Sequence, residues 1–422
     1  MGVVDFGSRS LRVLIARKEA DGAVYITGHG VAPAQGCVCQ GVIQDLRAAQ
    51  RALRNALSQA EKEARTAVSS LFCGIHGRNV ETFIREGNVE IARGAVEPAQ
   101  LAEAKDIAAR DILSPGKKVT SSISAQEWYV DGLRVADPVG IHGQVLKVRV
   151  HFARIPAVIL DNVAGCIESL GRELEDMIFL PLAASLGCLT PEDMELGVAL
   201  IDIGHRNIGL SVYRDYRNLN THCFERGGYH ITRDVSAGLQ ISFEEANELI
   251  LDYGVAESLV HREAEGERAV DAPKPGGDEH NMRIKLKTAV PGVPPAVDRN
   301  TLEEIIFERA KELMIVVRQY LQARDLTKNL VRGIVLTGGA SQIRNHVALA
   351  EAIFQTPCRV GLPNNVEILP HEVKSPEFSA AVGIVRHAFE YRAAARNGRV
   401  NGASSTLPWH QRMARLARKY FF

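Results

Sequence analysis

Two stretches of this 422-residue chain end an apolar run in an aspartate that stands two residues before a glycine, and they lie 197 positions apart. The first reads Val4-Asp5-Phe6-Gly7-Ser8-Arg9-Ser10-Leu11 and the second Ile201-Asp202-Ile203-Gly204-His205-Arg206-Asn207-Ile208. They align without a gap, and the likeness continues at Val13/Leu210, Ile15/Val212 and Arg17/Arg214. Each copy reads as a strand, a tight turn and a second strand with period-2 alternation. Glycine lets the turn backbone approach a ligand closely, and the N–H groups of such a turn form an anion-binding concavity. An aspartate at the lip of each turn, Asp5 and Asp202, suits Mg²⁺ held through water. A single Asp-x-Gly is an ordinary turn. The duplication is what points to two β-hairpins facing each other across a phosphate-binding cleft.

A third stretch carries related chemistry. Ile334-Val335-Leu336-Thr337 is a short apolar run that enters Gly338-Gly339-Ala340 and then a helical segment. One reading is a close strand-to-helix turn with no ligand. The other is a backbone bare enough for a flat ring system to lie against it.

Two phosphate hairpins followed by a strand-Gly-Gly loop resemble the actin, Hsp70 and sugar-kinase superfamily, and within it the bacterial FtsA family. The stretches that carry the resemblance are GIVLTGGASQIRN at 333–345, SPEFSAAVGIVRH at 375–387, ELGVALIDIG at 195–204, GGYHITRDVSAGL at 227–239 and LEEIIFERAKEL at 302–313. The resemblance implies an α/β fold of the actin type: two duplicated RNase H-like domains, an inserted α+β subdomain (IC) and a C-terminal amphipathic helix. It implies ATP and Mg²⁺ as ligands, at most weak ATPase activity, and membrane-attached filaments that tether the FtsZ ring. It places the protein on the cytoplasmic side of the inner membrane, peripherally, at the division site. The partners implied are the FtsZ C-terminal tail, anionic lipid, further copies of the chain and other division proteins. Alternatives are a sugar-kinase-type phosphotransferase, which needs a carboxylate base facing a sugar, and a pilus-assembly actin-like adaptor.

The nucleotide contacts implied are Asp5, Gly7, Ser8, Arg9 and Ser10 in the first hairpin and Asp202, Gly204, His205, Arg206 and Asn207 in the second. Gly227, Gly228, Asn247, Gly338, Gly339 and Ala340 complete the set, with Asp5 and Asp202 serving the metal. The second hairpin departs from the family, which usually has Asp-Ile-Gly-Gly-Gly-Thr. Here His205 and Arg206 replace two glycines and Asn207 replaces the hydroxyl. A guanidinium can bind phosphate oxygens bidentately; the other reading has both side chains in solvent and the pocket partly closed. A second departure puts Asn247 and Ile250 where the family has Glu and Lys beside the ribose and base. Asp234 admits a ligand or a structural role. Basic residues of the FtsZ-binding surface correspond to Arg299 and Arg309, with Glu312 completing an Arg-x-x-Glu spacing that also suits an intrahelical pair. No catalytic group that would position water at a γ-phosphate is identified.

Composition agrees with a multidomain soluble chain. It is 46% hydrophobic and 24% charged with a formal net charge of zero, which provides no general field for nucleic acid. The seven cysteines are mostly isolated and are expected as reduced thiols; Cys37-Val-Cys39 has no second pair to complete a zinc site. No run of 18 apolar residues is present, and the first strand is expected to begin near Met1 with no leader before it.

The elements that must hold these residues divide the chain into several parts. Residues 1–78 and 156–190 form subdomain IA, with a helix over Asp45–Ala64, a strand over Ser69–Gly74, a helix over Pro156–Leu170 and a strand over Met177–Leu182. Residues 79–155 are the insert, with a helix over Pro98–Ile112 and strands near Ser121–Val130 and Gln144–Arg154. In the last of these, Leu146, Val148, Val150 and Phe152 alternate with Lys147, Arg149 and His151, so one face is expected to be wet. Residues 191–239 and 311–358 form subdomain IIA. Residues 240–310 form IIB, with loop material at Ala272–Gly277 and Pro291–Pro295; a helix over Leu302–Ala323 follows. Residues 359–390 close IA and 391–405 are a flexible linker.

The segment 406–422 reads as an amphipathic helix. Trp409, Met413, Leu416 and Tyr420 form one apolar stripe, Arg412, Arg415, Arg418 and Lys419 supply positive charge, and Phe421 and Phe422 add apolar bulk. This suits a helix lying in an anionic membrane interface; a helix packed on its own domain or on a partner is the other reading. One such helix binds reversibly, so stable residence requires several anchors presented together by a polymer. Deleting Leu407–Phe422 is expected to leave a folded protein that no longer co-floats with anionic vesicles. Trp409→Asp should do nearly the same, and binding should weaken with salt. Flotation of the truncated chain would refute the anchor.

Overall fold

The computed structural model describes residues 1–34, 36–77, 79–91, 94–110, 117–121, 127–265, 283–287, 296–364, 366–368 and 370–396. The expected tail helix with Trp409, Arg412, Met413, Arg415, Leu416, Arg418, Lys419, Tyr420 and Phe421 lies outside these residues, as do the loops at Ala272–Gly277 and Pro291–Pro295.

Two sheets carry the architecture, and they repeat one pattern. In the first, Gly2–Phe6 pairs antiparallel with Ser10–Lys18, which pairs antiparallel with Val24–Pro33; on its other side Gly2–Phe6 runs parallel to Ser70–Ile75, and that strand parallel to Glu173–Phe179. In the second, Val198–Ile203 pairs antiparallel with Ile208–Arg214, which pairs antiparallel with Arg217–Phe224; on its other side lie Ile334–Thr337 and Cys358–Val360, both parallel. Even the register repeats. Val4 stands opposite Val13, and Ile201 opposite Leu210, the same two positions of the sequence repeat. A short strand, Glu367–Ile368, extends the first sheet beside Val24–Pro33.

These central strands read as apolar because both faces are covered. On the first sheet, Leu46–Ala64 lays Ala49, Leu53, Ala56, Leu57 and Ala60 into the core, with Asp45 capping the helix through the Ala48 N–H at 2.9 Å. On the second, Arg299–Ala323 buries Leu302, Ile306, Ala310, Leu313, Val317 and Leu321, and it runs unbroken across residue 310. The helix Ser379–Arg396 returns from the second half to pack on Leu180–Cys188 and on the first sheet.

In the sequence between Ser70–Ile75 and Glu173–Phe179, the chain forms a separate sheet of five. Glu81–Glu90 and Val145–Pro156 are its long pair, joined by Lys117–Ser121, Glu127–Val130 and Leu133–Val135, and the helix Pro98–Ala108 covers one face. Its own core contains Val89, Ala104, Trp128, Leu146, Val148, Val150 and Phe152.

Several elements differ from expectation. The strand expected over Met177–Leu182 ends at Phe179, because Pro181 occupies the first turn of a helix, Leu180–Cys188, where a missing N–H does no harm. The single strand expected over Ser121–Val130 is two, Lys117–Ser121 and Glu127–Val130, and residues 122–126 lie outside the described set. The closing helix continues past Glu390 to Arg396, into the segment expected as linker. Tyr391 packs edge-on to Phe72, and the Arg392 Nε donates to Glu175 at 3.0 Å, so tertiary contact overrides a composition that reads as coil. His151 is not on a wet face. It is 2% exposed and faces Thr221 of the second half.

One buried carboxylate ties the second half together. Asp193 is fully buried; it caps Pro191–Leu196 with Thr190 and pairs with Arg332 at 2.9 Å and Arg359 at 2.6 Å. Burial alone would raise its pKa, but the Thr190 N–H and the two guanidiniums outweigh that and hold it at about 2. A carboxyl held below its ordinary value contributes stability above about pH 4, and that contribution is lost as pH falls toward 2. Asp193→Ala is therefore expected to cost about 3 kcal/mol at neutral pH, with the deficit shrinking toward zero by about pH 2. Urea unfolding of both proteins across that range checks it, and a pH-independent deficit would contradict it.

Candidate functional site

The duplicated strands bring their two turns to the same end of the molecule, where they line one cavity of about 690 Å³. Asp5, Gly7, Ser8, Arg9 and Ser10 line it from the first hairpin, and Asp202, Gly204, His205, Arg206 and Asn207 from the second. Gly338, Gly339 and Ala340 close a third side, and Gly228, Asn247, Ile250 and Leu251 a fourth.

The floor is acidic and incompletely satisfied. Asp5 is 5% exposed, and its Oδ1 has no hydrogen-bond partner among the described residues. Its ion pair is a long one, 3.7 Å to Arg12 Nη1, since the other end of that guanidinium donates to Glu377 at 2.7 Å. Burial raises the Asp5 pKa, and Arg12 offsets part of this. Burial raises Asp202 to about 7, and the Asp5 carboxylate adds to the shift against the pull of Arg12. The Asp5 charge thus adds to the proton affinity of Asp202. His76, also in the lining, is held neutral by burial, with its pKa lowered to about 4.

Gly338 is where glycine is required. It has φ +83°, and a Cβ there would stand 2.2 Å from Asp202 Oδ1. The loop thus lies directly against the carboxylate. Thr337, fully buried, donates to the Gly361 carbonyl at 2.9 Å and fixes the strand end from behind. Gly227 has a different role from the one implied. It is absent from the cavity lining and packs behind the second turn, where a Cβ would meet Gly204 O at 2.5 Å. The Gly228 N–H donates to Gly204 O at 3.0 Å, and the Tyr229 N–H to His205 O at 2.7 Å. The glycine pair holds the turn, and only Gly228 reaches the cavity.

The departures from the family pattern are built into this shape. Arg206 does not extend into solvent: its guanidinium carbon lies 3.6 Å from the centroid of Tyr229. Tyr229 in turn stacks on Phe243 at 5.6 Å, and His205 meets Tyr229 edge-on at 5.4 Å. Burial lowers the His205 pKa to about 4, with Arg206, Arg9 and His230 adding to the effect, so the ring is neutral and can donate or accept. Asn207 is buried; its amide N–H faces Cys223 Sγ at 3.5 Å, and its Oδ1 is unpartnered among the described residues. Asn247 accepts from Arg9 Nη1 at 3.2 Å, a contact that bridges the two halves across the mouth of the cavity.

Arg299, Arg309 and Glu312 lie elsewhere and are engaged within the chain. Arg299 pairs with Glu303 at 2.7 Å. Arg309 pairs with both Asp234 and Glu312, and Glu312 also with Arg226. Asp234 is thus a partner of Arg309 and Arg233 in the structure. Among the described residues no group of three His, Cys, Asp or Glu side chains suits a metal by itself, all seven cysteines are free, and no helix is long and apolar enough to cross a membrane.

Sequence reasoning passed over Arg12, Glu377 and Tyr229. Arg12 had a signal, a lone charge among Leu11, Val13, Leu14 and Ile15 in a strand buried on both faces. Glu377 and Tyr229 sit inside stretches that carry the family likeness, where the glycines drew attention instead.

Comparison with known proteins extends this geometry. A family model described as "Cell division protein FtsA" matches residues 199–383, and one described as "SHS2 domain inserted in FTSA" matches residues 77–153. The chain is 31% identical over 390 residues to the cell division protein FtsA of Neisseria meningitidis serogroup B, covering 92% of this chain and 90% of that one. It is 27% identical over 402 residues to FtsA of Pseudomonas aeruginosa, covering 95% and 92%. Among solved structures it is similar to a PilM–PilN type IV pilus biogenesis complex, with TM-score 0.63, 15% identity and coverage of 92% and 98%. It is also similar to MreB5 of Spiroplasma citri bound to AMPPNP, with TM-score 0.51, 15% identity and coverage of 94% and 98%. At such identities the structural likeness speaks for the fold, which is actin-like, whereas near-full-length identity to the curated relatives speaks for kinship: the chain belongs to the FtsA family of cell division proteins.

Proposed function

We propose that this chain binds ATP with Mg²⁺ in the cleft and assembles into filaments on the inner face of the cell membrane, where it tethers the FtsZ ring. The observation that carries the reading is the convergence of both hairpin turns and the Gly338 loop on one cavity with an acidic floor and a basic rim. MreB5, which has the same fold, is known bound to AMPPNP and to ADP, which supports a nucleotide here.

The residues fit that ligand. Asp5 and Asp202 would hold the metal, whose chemistry is to neutralise phosphate charge. The turns at Gly7–Ser10 and Gly204–Asn207 offer backbone N–H groups to phosphate oxygens, with Arg206 and His205 supplying side-chain donors in place of the missing glycine backbone. Asn247 accepts from Arg9 through its oxygen, which leaves its amide hydrogens for a ribose hydroxyl. Gly338, Gly339, Ala340 and Ile250 form the flat, largely apolar wall for the base.

The division into subdomains IA, IC, IIA and IIB, the tail as membrane anchor, and the surface of Arg299, Arg309 and Glu312 as the seat of the FtsZ tail belong to the same proposal. Because Arg309 is paired to Asp234 and Glu312, an acidic peptide would exchange with those carboxylates rather than meet a free charge.

Asp202 separates stability from binding. Its folded-state pKa lies above its ordinary value, so its ionisation destabilises the fold increasingly as pH rises from about 4 to about 7. Asp202→Asn is expected to melt higher than the parent at about pH 8 without nucleotide, by on the order of 1–2 kcal/mol, while losing about tenfold or more in ATP affinity with Mg²⁺. Differential scanning calorimetry and isothermal titration calorimetry read the two effects separately. Equal ATP affinity in both proteins would remove the second hairpin from nucleotide binding.

A further inference from the structure

Three consecutive residues, Arg344, Asn345 and His346, follow the loop that runs along the cleft from Gly338 to Ile343. None of the three lines the cavity. Each is bonded instead to an element that forms one of its sides. Ile250 and Leu251 line one side from the helix Phe243–Tyr253. That helix stops at Gly254, which has φ +66° and lies so close to Arg344 that a Cβ would stand 2.5 Å from the Arg344 Cβ. Val255, next in the chain, is fully buried and pairs with the three residues. Its N–H donates to the Arg344 carbonyl at 3.0 Å, and its carbonyl accepts from the Asn345 side-chain amide at 2.8 Å. Arg344 Nη1 donates to the Asp252 carbonyl at 2.9 Å. Asn345 takes φ +59°, a left-handed conformation that asparagine tolerates better than most residues.

His346 holds the neighbouring side, formed by Gly338, Gly339 and Ala340. It is fully buried, and its Nδ1 lies 2.8 Å from the Ala340 carbonyl. A carbonyl only accepts, so Nδ1 carries the hydrogen. Burial lowers the pKa of the ring against the effect of the Ala340 bond, so the ring is neutral. Its Nε2 is buried as well and has no partner among the described residues. An unpartnered ring nitrogen in a core costs stability that an apolar side chain would not. What the imidazole adds over such a side chain is the bond to Ala340.

We propose, on the nucleotide reading above, that Arg344, Asn345 and His346 are positioning residues: they fix the Ala340 side of the cavity against the Ile250 side at the spacing a flat base requires, and they touch no ligand themselves. Contact between apolar surfaces weakens steeply over a fraction of an ångström, so a base gains only where both sides stay in place. The turns at Gly7–Ser10 and Gly204–Asn207 belong to the hairpins of the two sheets. Loosening the three residues therefore weakens the grip on the nucleoside and spares the grip on the phosphates.

Titration calorimetry on the full chain with Mg²⁺ compares ATP with inorganic tripolyphosphate, which has the phosphates and no nucleoside. His346→Leu keeps apolar bulk and removes the Nδ1 hydrogen. It is expected to weaken ATP by about tenfold, the order of one buried hydrogen bond, and to leave tripolyphosphate within about twofold. His346→Asn presents an amide N–H near the place of Nδ1 and should restore most of the ATP affinity. Asn345→Gly keeps the left-handed turn at an exposed position, so it leaves the fold intact, and it should weaken ATP by about threefold. A parallel loss of both ligands in these variants would make the residues general stabilisers and overturn the proposal. Unchanged ATP affinity in both His346→Leu and Asn345→Gly overturns it too. Equal affinity of the parent for ATP and tripolyphosphate overturns it while leaving phosphate binding in the cleft intact. A parent that binds neither ligand overturns the nucleotide reading and this one with it.

Discussion

The meeting of the two halves depends on one close approach of backbones. Where the helix Leu180–Cys188 crosses Ser379–Arg396, a Cβ on Gly383 would stand 1.6 Å from Ala183 O, and one on Gly187 1.8 Å from Ser379 O. No side chain fits between helices at that distance, so the crossing is set by glycine and carbonyl contact rather than by interdigitated apolar groups. The crossing in turn fixes the geometry of the cleft. Leu180–Cys188 carries Pro181 in its first turn, and the Pro181 carbonyl accepts from Ser211 of the second hairpin at 2.9 Å. Ser379–Arg396 begins beside Thr337 and Glu377, and Glu377 reaches Arg12 of the first hairpin. Each hairpin is thus tied to the helix that comes from the other half.

Within that frame the cleft divides its charge by depth. Asp5 and Asp202 lie at the floor, Arg9, Arg206 and His205 at the rim, and Arg12 is the cation that joins the floor to the closing segment. A chain of the FtsA family with glycines at 205 and 206 would present backbone alone at the rim. This chain presents side chains, and it uses an aromatic stack of Tyr229 on Phe243 to hold them in place. The stack also explains why bulk at 205 and 206 leaves the cavity open. Arg206 lies flat on a ring beside the opening instead of across it. The altered turn therefore keeps an open cavity while placing a guanidinium and an imidazole in its lining.

The repeat at positions 5 and 202 was enough to anticipate two hairpins converging on one cavity, because strand periodicity and turn chemistry are local properties and duplication is visible in one chain. The sheet order around them was not visible, since parallel neighbours such as Ser70–Ile75 and Ile334–Thr337 are set by tertiary packing. The same limit explains His151. Its place in an alternating strand assigned it to the wet face, and nothing local revealed that another sheet edge would cover it. The residues 391–396 misled for the converse reason: Ala and Arg in a row read as coil until Phe72 and Glu175 supply partners. At the site, glycines read well where a ligand needs backbone. They read poorly at Gly227, where the same requirement comes from another part of the protein itself.

The cover over His151 has a structural consequence for the insert. Arg217–Phe224 is the outer strand of the second sheet, and an uncovered outer strand exposes a row of unpaired backbone groups. The insert occupies that edge. Thr82 donates to the Thr221 carbonyl, the His151 ring meets the Thr221 hydroxyl, and Arg134 reaches the Asp215 carbonyl at the far turn. Thr221 is 1% exposed as a result, and burial holds His151 neutral, with its pKa lowered to about 4. The same strand leads directly into Glu225–Gly228, the segment that holds the second turn, and Gln40 of the first half donates to the Glu225 carbonyl at 3.1 Å. A displacement of the insert must then either strip Thr221 and His151 of their partners or carry the strand along and move the Gly228 side of the cleft. Stripping leaves buried polar groups unsatisfied, at about 1–3 kcal/mol each. Moving the strand as a unit breaks none of these bonds. It does, however, shift the ladder to Ile208–Arg214, so the insert, the outer strand and the second turn are held as one packed unit.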